Sequence, residues 1–297
     1  MHKEEMIMYI GDDILDAVRT DGYAVMEGFL SHDELAAARA GLFEEFPRPD
    51  DYFADPEQYR HLVRHPFAGL RLGPFNSWSL TRTAFHPDLV DAAERFCGTT
   101  SLDLYKIELW GKYSGSVDYD QAHHRDFGNH SLVVPRRDRR WPQLTTFILL
   151  SDVTELDGPT KVIPRTVGDD VALIPRDLER GALTDQEMAI TGPAGSIFMY
   201  TTDVLHRGSA MTGTDRSRFA LLADYAARGN PWMGKMSWPG LANRPAFATL
   251  LANANPRERD LFGFPPPGHE YWNDQTLRDV AARWPGMDMA PYADRSS

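Results

Sequence analysis

Cysteine is nearly absent from this sequence: Cys97 is the single one among 297 residues. It cannot close an internal disulfide, and without a CxxC pair there is no thiolate cage for zinc or an iron–sulfur cluster. Any metal must therefore be held by His and carboxylate. A basic excess is also missing. The 31 Lys and Arg stand against 43 Asp and Glu, a formal net charge of −12, which repels a phosphate backbone and argues against nucleic acid as a partner. Long hydrophobic runs are lacking too. Stretches such as Phe147–Leu150 and Ile197–Tyr200 are strand-sized and too short to cross a bilayer. The start, with Glu4 and Glu5 directly after Lys3, offers no apolar core of a secretory signal, so a soluble cytoplasmic protein with no membrane partner is expected. What remains is ordinary globular composition, 42% hydrophobic and 25% charged, on a chain long enough to bury a real core.

Residues 1–100 mix helices with short extended pieces. A short helix over about Asp13 to Thr20 stops at Gly22, and Tyr23 to Phe29 reads as a strand. Ser31-His-Asp-Glu34 is a capping box, and the helix after it places Leu35, Ala38, Leu42 and Phe46 at helical spacing. Another helix starts at Pro87 and runs towards Phe96. Over 101–228 the pattern changes to strands at 102–113, 122–126, 144–152, 160–164, 195–200, 203–208 and 218–225, with turns at Asp157-Gly158-Pro159 and Thr212-Gly213-Thr214-Asp215. Many short strands without long intervening helices predict a mainly β protein with flanking helices (α+β), its core an antiparallel barrel of the jelly-roll type. Residues 229–297, rich in Pro, Gly and Trp, read as an irregular aromatic cover, so that 1–297 forms a single domain.

Three candidate ligands stand out in the β region. His124 and Asp126 lie in Gln121-Ala-His-His-Arg-Asp126, and His206 ends Asp203-Val-Leu-His206. On a strand, residues two apart point to the same face, so His124 and Asp126 would both face the barrel interior. With His206 from another strand they make one face of an octahedron, a set that suits iron(II) and leaves adjacent positions open. The triplet alone is weak, because His86-Pro87-Asp88 also fits, but there Pro87 marks a helix start rather than a ladder position. The competing reading is a solvated polar turn at 123–126 and a hydrogen-bonded histidine at 206. The stretch Thr214-Asp-Arg-Ser-Arg218 running into Phe-Ala-Leu221 shifts the balance. Arg216 and Arg218 share one face of an otherwise apolar strand, and a guanidinium carried inside needs an anion. A metal-bound dicarboxylate would supply one.

Taken in order, these pieces resemble the phytanoyl-CoA dioxygenase family of iron(II)- and 2-oxoglutarate-dependent oxygenases. The likeness runs from Gly22-Tyr-Ala-Val-Met-Glu-Gly-Phe-Leu-Ser-His-Asp-Glu34, through His124-x-Asp126 and Asp157-Gly-Pro-Thr-Lys-Val-Ile-Pro164, to His206 and Arg218. It implies a double-stranded β-helix in which His124, Asp126 and His206 hold iron and Arg218 binds the distal carboxylate of 2-oxoglutarate. Arg216 stays a rival for that role, since the spacing from His206 to Arg218 is one residue longer than is common. Lys112, in Trp110-Gly-Lys112, stands where some members place a lysine on the co-substrate. A carboxylate at 126 favours oxygen transfer over halogenation, in which a small residue takes that place. The implied reaction uses dioxygen and converts 2-oxoglutarate to succinate and CO2 while an unactivated C–H of a small, partly apolar metabolite is hydroxylated or otherwise oxidised.

The expected substrate lining comes from Phe75, Trp78 and Phe85 and, in the tail, from Trp232, Met233, Met236, Trp238, Phe262, Phe264, Tyr271 and Trp272, unless these only pack the cover. The basic run Arg136-Arg-Asp-Arg-Arg140 reads as a solvated loop. Two other functions remain open on the same scaffold: a non-catalytic barrel that binds a metal or small molecule, and a redox-neutral isomerase or epimerase.

Overall fold

Alternation along the strands sets the architecture of the computed structural model, which describes residues 9–115, 120–127, 131–175, 177–233 and 238–293. In chain order the strands are β1 (Tyr23–Met26), β2 (Leu70–Leu72), β3 (Leu102–Tyr113), β4 (Gln143–Leu149), β5 (Thr160–Val162), β6 (Met188–Ala189), β7 (Ile197–Tyr200), β8 (His206–Gly208) and β9 (Ser217–Ala227). They form a six-stranded sheet in the order β1-β7-β4-β9-β3-β2 and a three-stranded sheet in the order β6-β5-β8. Every pairing is antiparallel. A cavity between the sheets is lined from both, by β3, β4, β7 and β9 on one side and by β5 and β8 on the other. This is the layout of a jelly roll with flanking helices, as the strand pattern predicts, although the described residues do not hydrogen-bond the two sheets into a closed barrel.

On β9, Phe219, Leu221, Ala223 and Tyr225 enter the main core while Arg218, Ala220 and Leu222 line the cavity. That core packs the large sheet on helices α1 (Asp12–Thr20), α2 (His32–Glu45), α4 (Trp78–Thr83) and α5 (Pro87–Cys97), the short α3 (Pro49–Ala54) lying between α2 and α4 in sequence. Burying each Leu- or Phe-sized side chain there contributes roughly 1.5–3 kcal/mol. The capping box starts α2 as expected: the Ser31 hydroxyl accepts from the Glu34 amide, and Glu34 Oε2 accepts from the Ser31 amide at 2.9 Å. His86 caps α5, its Nδ1 accepting from the Asp88 amide at 3.3 Å. The His86-Pro87-Asp88 triplet is thus a helix start.

Alternation breaks once, at a bulge in β3. The register passes from Leu104 opposite Tyr225 to Lys106 opposite Asp224, leaving Tyr105 extra. Leu102 and Leu104 face the core before it, and Ile107 and Leu109 face the core after it. Lys106, Glu108 and Trp110 are thereby turned to the cavity.

Three expectations need correction. The strand expected over 122–126 is a single bridge, His124 to His206, and the strand expected over 203–208 begins only at His206. The tail is not irregular. Beyond α6 (Arg165–Gly168), it forms α7 (Trp238–Leu241), α8 (Pro245–Asn253), α9 (Pro256–Asp260), α10 (Asp274–Arg283) and α11 (Ala290–Ala293). The residues that read as loop chemistry start these helices: Pro245 and Pro256 occupy first turns, and Asn255 and Asn273 are N-caps with reciprocal capping boxes. No helix among the described residues is long and apolar enough to cross a membrane.

Candidate metal centre

The bridge that replaces a strand is what brings the ligands together. His124 and His206 exchange both backbone hydrogen bonds, each at 2.9 Å, which fixes their side chains face to face with ring centroids 4.6 Å apart. Each ring is then oriented by its own chain: Nδ1 of His124 lies 2.9 Å from the Ala122 carbonyl, and Nδ1 of His206 2.9 Å from that of Val204. A carbonyl only accepts, so Nδ1 carries a proton and Nε2 is the nitrogen left to meet a metal. Both Nε2 atoms point at one carboxylate, His124 at 3.5 Å from Asp126 Oδ1 and His206 at 3.4 Å from Asp126 Oδ2. The three ligand atoms lie within 4.8 Å of one another, the single such group among the described residues. Two imidazoles and one carboxylate, with second ring nitrogens already anchored and no thiolate nearby, fit a borderline divalent cation such as iron(II).

Asp126 is held further by Tyr200, whose hydroxyl donates to Oδ2 at 2.9 Å. Burial alone would raise the Asp126 pKa, but the two imidazoles outweigh it and hold the carboxyl well below its ordinary range. The same burial, with the Asp126 charge beside it, keeps the Tyr200 phenol protonated and so a donor.

The cavity around this group measures 420 Å³. Arg218 lines it together with the apolar Phe147, Leu149, Phe198, Ala220 and Leu222. Its guanidinium donates to the Gly158 carbonyl, in a turn that only glycine fits: Gly158 has φ +63°, and a Cβ there would sit 2.6 Å from the Ser209 oxygen. Arg216 is committed elsewhere, with Nε 2.5 Å and Nη2 2.9 Å from the two oxygens of Asp157. Lys112 is opposite Arg218 across the β3–β9 ladder, but its amine donates to the Ser209 carbonyl at 2.8 Å and it is not among the cavity's lining residues.

The lysine that does line the cavity is Lys106, which sequence reasoning passed over. Its Nζ is 3.2 Å from Glu108 Oε1 and 3.5 Å from Asp224 Oδ2, and the Trp110 indole donates to Glu108 Oε2 at 3.1 Å. Burial opposes the Lys106 charge, yet Asp224 and Glu108 outweigh it and raise its pKa. Burial pushes the Asp224 carboxyl up to about 6 despite Lys106.

The expected substrate lining is corrected as well. Phe75 and Phe85 belong to the main core, Trp232 and Met233 pack with Phe127, and Trp238 and Phe262 pack together with ring centroids 5.1 Å apart. Trp78, Phe264 and Trp272 join the packing of the tail helices, and Tyr271 is exposed. Met236 falls outside the described residues. In the basic run, Arg136 pairs with Asp138 and Arg139 with Asp169, while Arg140 lies over Trp141, so two of its four guanidiniums have carboxylate partners.

A family model described as phytanoyl-CoA dioxygenase matches residues 18–220. Among solved structures, HygX from Streptomyces hygroscopicus, determined with nickel and 2-oxoglutarate bound, superposes with a TM-score of 0.54 at 15% identity, over 75% of this chain and 89% of that one. The non-heme α-ketoglutarate-dependent carbocyclase SnoK from nogalamycin biosynthesis gives 0.53 at 18% identity, over 79% and 91%. EctD from S. alaskensis gives 0.53 at 20% identity, over 80% and 85%. At these identities the likeness is one of fold. No curated protein sequence matches the chain.

Proposed function

Since the chain belongs to the phytanoyl-CoA dioxygenase family and is an iron- and 2-oxoglutarate-dependent oxidoreductase, we propose that it oxidises an unactivated C–H bond of a small molecule at His124, Asp126 and His206. These three residues hold the iron, and Arg218 receives the distal carboxylate of 2-oxoglutarate. The chain 1–297 acts as one domain around that centre. Iron(II), 2-oxoglutarate and dioxygen supply the oxidising power, with succinate and CO2 as co-products.

The chain's own part is binding, orientation and exclusion of water. The carbonyls of Ala122 and Val204 fix the two imidazoles so that Nε2 is the ligand atom in each. The Tyr200 hydroxyl fixes the carboxylate plane of Asp126. Arg218 offers a planar fork that matches a carboxylate, and the apolar wall of Phe147, Leu149 and Phe198 strengthens that pairing by keeping water away. Lys106, Glu108 and Trp110 line the same cavity along β3, where the substrate would lie.

The observation that carries this reading is the convergence of two Nε2 atoms and one carboxylate in the same cavity as Arg218. Anaerobic addition of Fe(II) and 2-oxoglutarate is expected to give a weak visible charge-transfer band. His206→Ala removes the band, whereas Arg218→Lys keeps iron binding and weakens 2-oxoglutarate binding by roughly tenfold or more. No band from correctly folded, iron-loaded protein would sink the assignment, and a normal co-substrate affinity in Arg218→Lys would sink the role of Arg218.

A further inference from the structure

The charges at one end of the cavity do not balance, and the imbalance points to a substrate class. Arg218 and Asp224 lie on the cavity face of β9 six positions apart, opposite Lys112 and Lys106 of β3, a separation of roughly 20 Å. The Arg218 end has apolar walls. At the other end one ammonium, that of Lys106, is shared between Glu108 at 3.2 Å and Asp224 at 3.5 Å. Asp224 is fully buried, its Oδ1 receives Gln143 Nε2 at 3.3 Å, and its Oδ2 has no hydrogen-bond partner. Lys106 thus serves two carboxylates, and the upward displacement of the Asp224 pKa to about 6 marks how incompletely it does so.

At this end, among the described residues that line the cavity or sit directly behind it, the cation is Lys106 and the carboxylates are Glu108 and Asp224, while Arg218 and the Lys112 opposite it lie at the far end. Iron(II) and the 2-oxoglutarate dianion cancel each other. One negative charge is left in a largely apolar enclosure, where an uncompensated charge is costly. Glu108 is the member on the cavity surface, and the aromatic side chains of Tyr105 and Trp110 flank it along β3.

We propose that the substrate carries a basic nitrogen, cationic at neutral pH, and that Glu108 receives it beside the aromatic faces of Tyr105 and Trp110. This rests on the cavity being the iron and 2-oxoglutarate site. A substrate carboxylate at this end would meet an excess of negative charge, and a neutral substrate would leave that excess unanswered. An ammonium completes the balance and gains from the aromatic faces. Glu108 and Lys106 act as specificity-determining residues, Glu108 by contact and Lys106 by setting how much of the Glu108 charge remains for the substrate.

Three probes of one shape separate the possibilities: cyclohexylamine, cyclohexanol and cyclohexanecarboxylate. Their binding is read by paramagnetic broadening of the probe NMR signals in protein loaded with Co(II) and 2-oxoglutarate, which is inert to oxygen. The amine is expected to bind roughly tenfold more tightly than the alcohol or the acid. Glu108→Gln abolishes the preference while the cobalt absorption and 2-oxoglutarate affinity stay as they were. Lys106→Gln tightens the amine further, a direction that a structural defect would not produce. Equal or tighter binding of the acid or alcohol, or a preference that survives Glu108→Gln, overturns the substrate class while the metal site stands. Loss of the cobalt and 2-oxoglutarate signals in the unaltered protein overturns the site assignment itself, and the substrate class with it.

Discussion

At Asp224 the fold keeps a carboxylate out of reach of water, with its pKa pushed from 3.8 up to about 6. Between those values the unfolded chain has released the proton and the folded chain still holds it, so rising pH lowers stability across that window. Below 3.8 both states are protonated, and above about 6 both are ionised, so the penalty is then fully present. Asp224→Asn removes this dependence. Urea unfolding at about pH 4.5 and about pH 7 should show the variant gaining on the unaltered protein as pH rises, by on the order of 1–3 kcal/mol. An unchanged difference between the two conditions would show that Asp224 does not titrate in this way. Single residues also mark what the sequence discloses. That His124, Asp126, His206 and Arg218 share one cavity could be anticipated, although the residues themselves lie far apart in sequence. The two-residue step from 124 to 126 and the arginine on an apolar strand are local signals. Lys106 could not be anticipated: uniform alternation along 102–113 puts it on the same face as Leu102 and Leu104, which are core. Only the extra residue at Tyr105 turns it into the cavity.

That bulge belongs to the scale of elements. With Tyr105 removed, Leu102, Leu104, Ile107 and Leu109 alternate without interruption on the core face, and Lys106 and Glu108 stay on the cavity face. Both the deletion and Tyr105→Ala should therefore keep a cooperative unfolding transition by circular dichroism. Loss of that transition in the deletion alone would mean that the bulge itself, and not only the alternation on either side of it, is needed for the fold. The elements easiest to read were those with local start signals, such as α2 behind Ser31 and α5 behind His86. The tail helices were missed because Pro and Asn act both in turns and at helix starts, and only the following packing of Phe247, Leu250 and Leu251 tells which. The ligand strand at 122–126 was over-read because one backbone bridge to His206 suffices to aim the side chains.

On the scale of the whole molecule, the site joins parts of the chain that the sequence keeps far apart, so filling it should be felt as global stability. With an inert divalent metal and 2-oxoglutarate at a hundredfold excess over their dissociation constants, linkage adds about 2.7 kcal/mol for each independent ligand. Thermal unfolding of the loaded protein should therefore rise by several degrees, and His206→Ala should lose the metal-dependent part of the rise. An equal rise in that variant would locate the metal elsewhere. The jelly-roll class itself was readable from many short alternating strands, while the split into two unjoined sheets depends on pairings that no local pattern encodes.

The mutual backbone pairing of His124 and His206 has a mechanical side. It hangs both imidazoles on β8 of the small sheet, whereas Arg218 is carried by β9 of the large one. On the proposed assignment, 2-oxoglutarate is gripped at one end from each sheet, so it serves as a cross-brace as well as a reactant. The sandwich would then be stiffest while the co-substrate is whole, and each turnover that shortens it to succinate would slacken the frame that holds the next substrate.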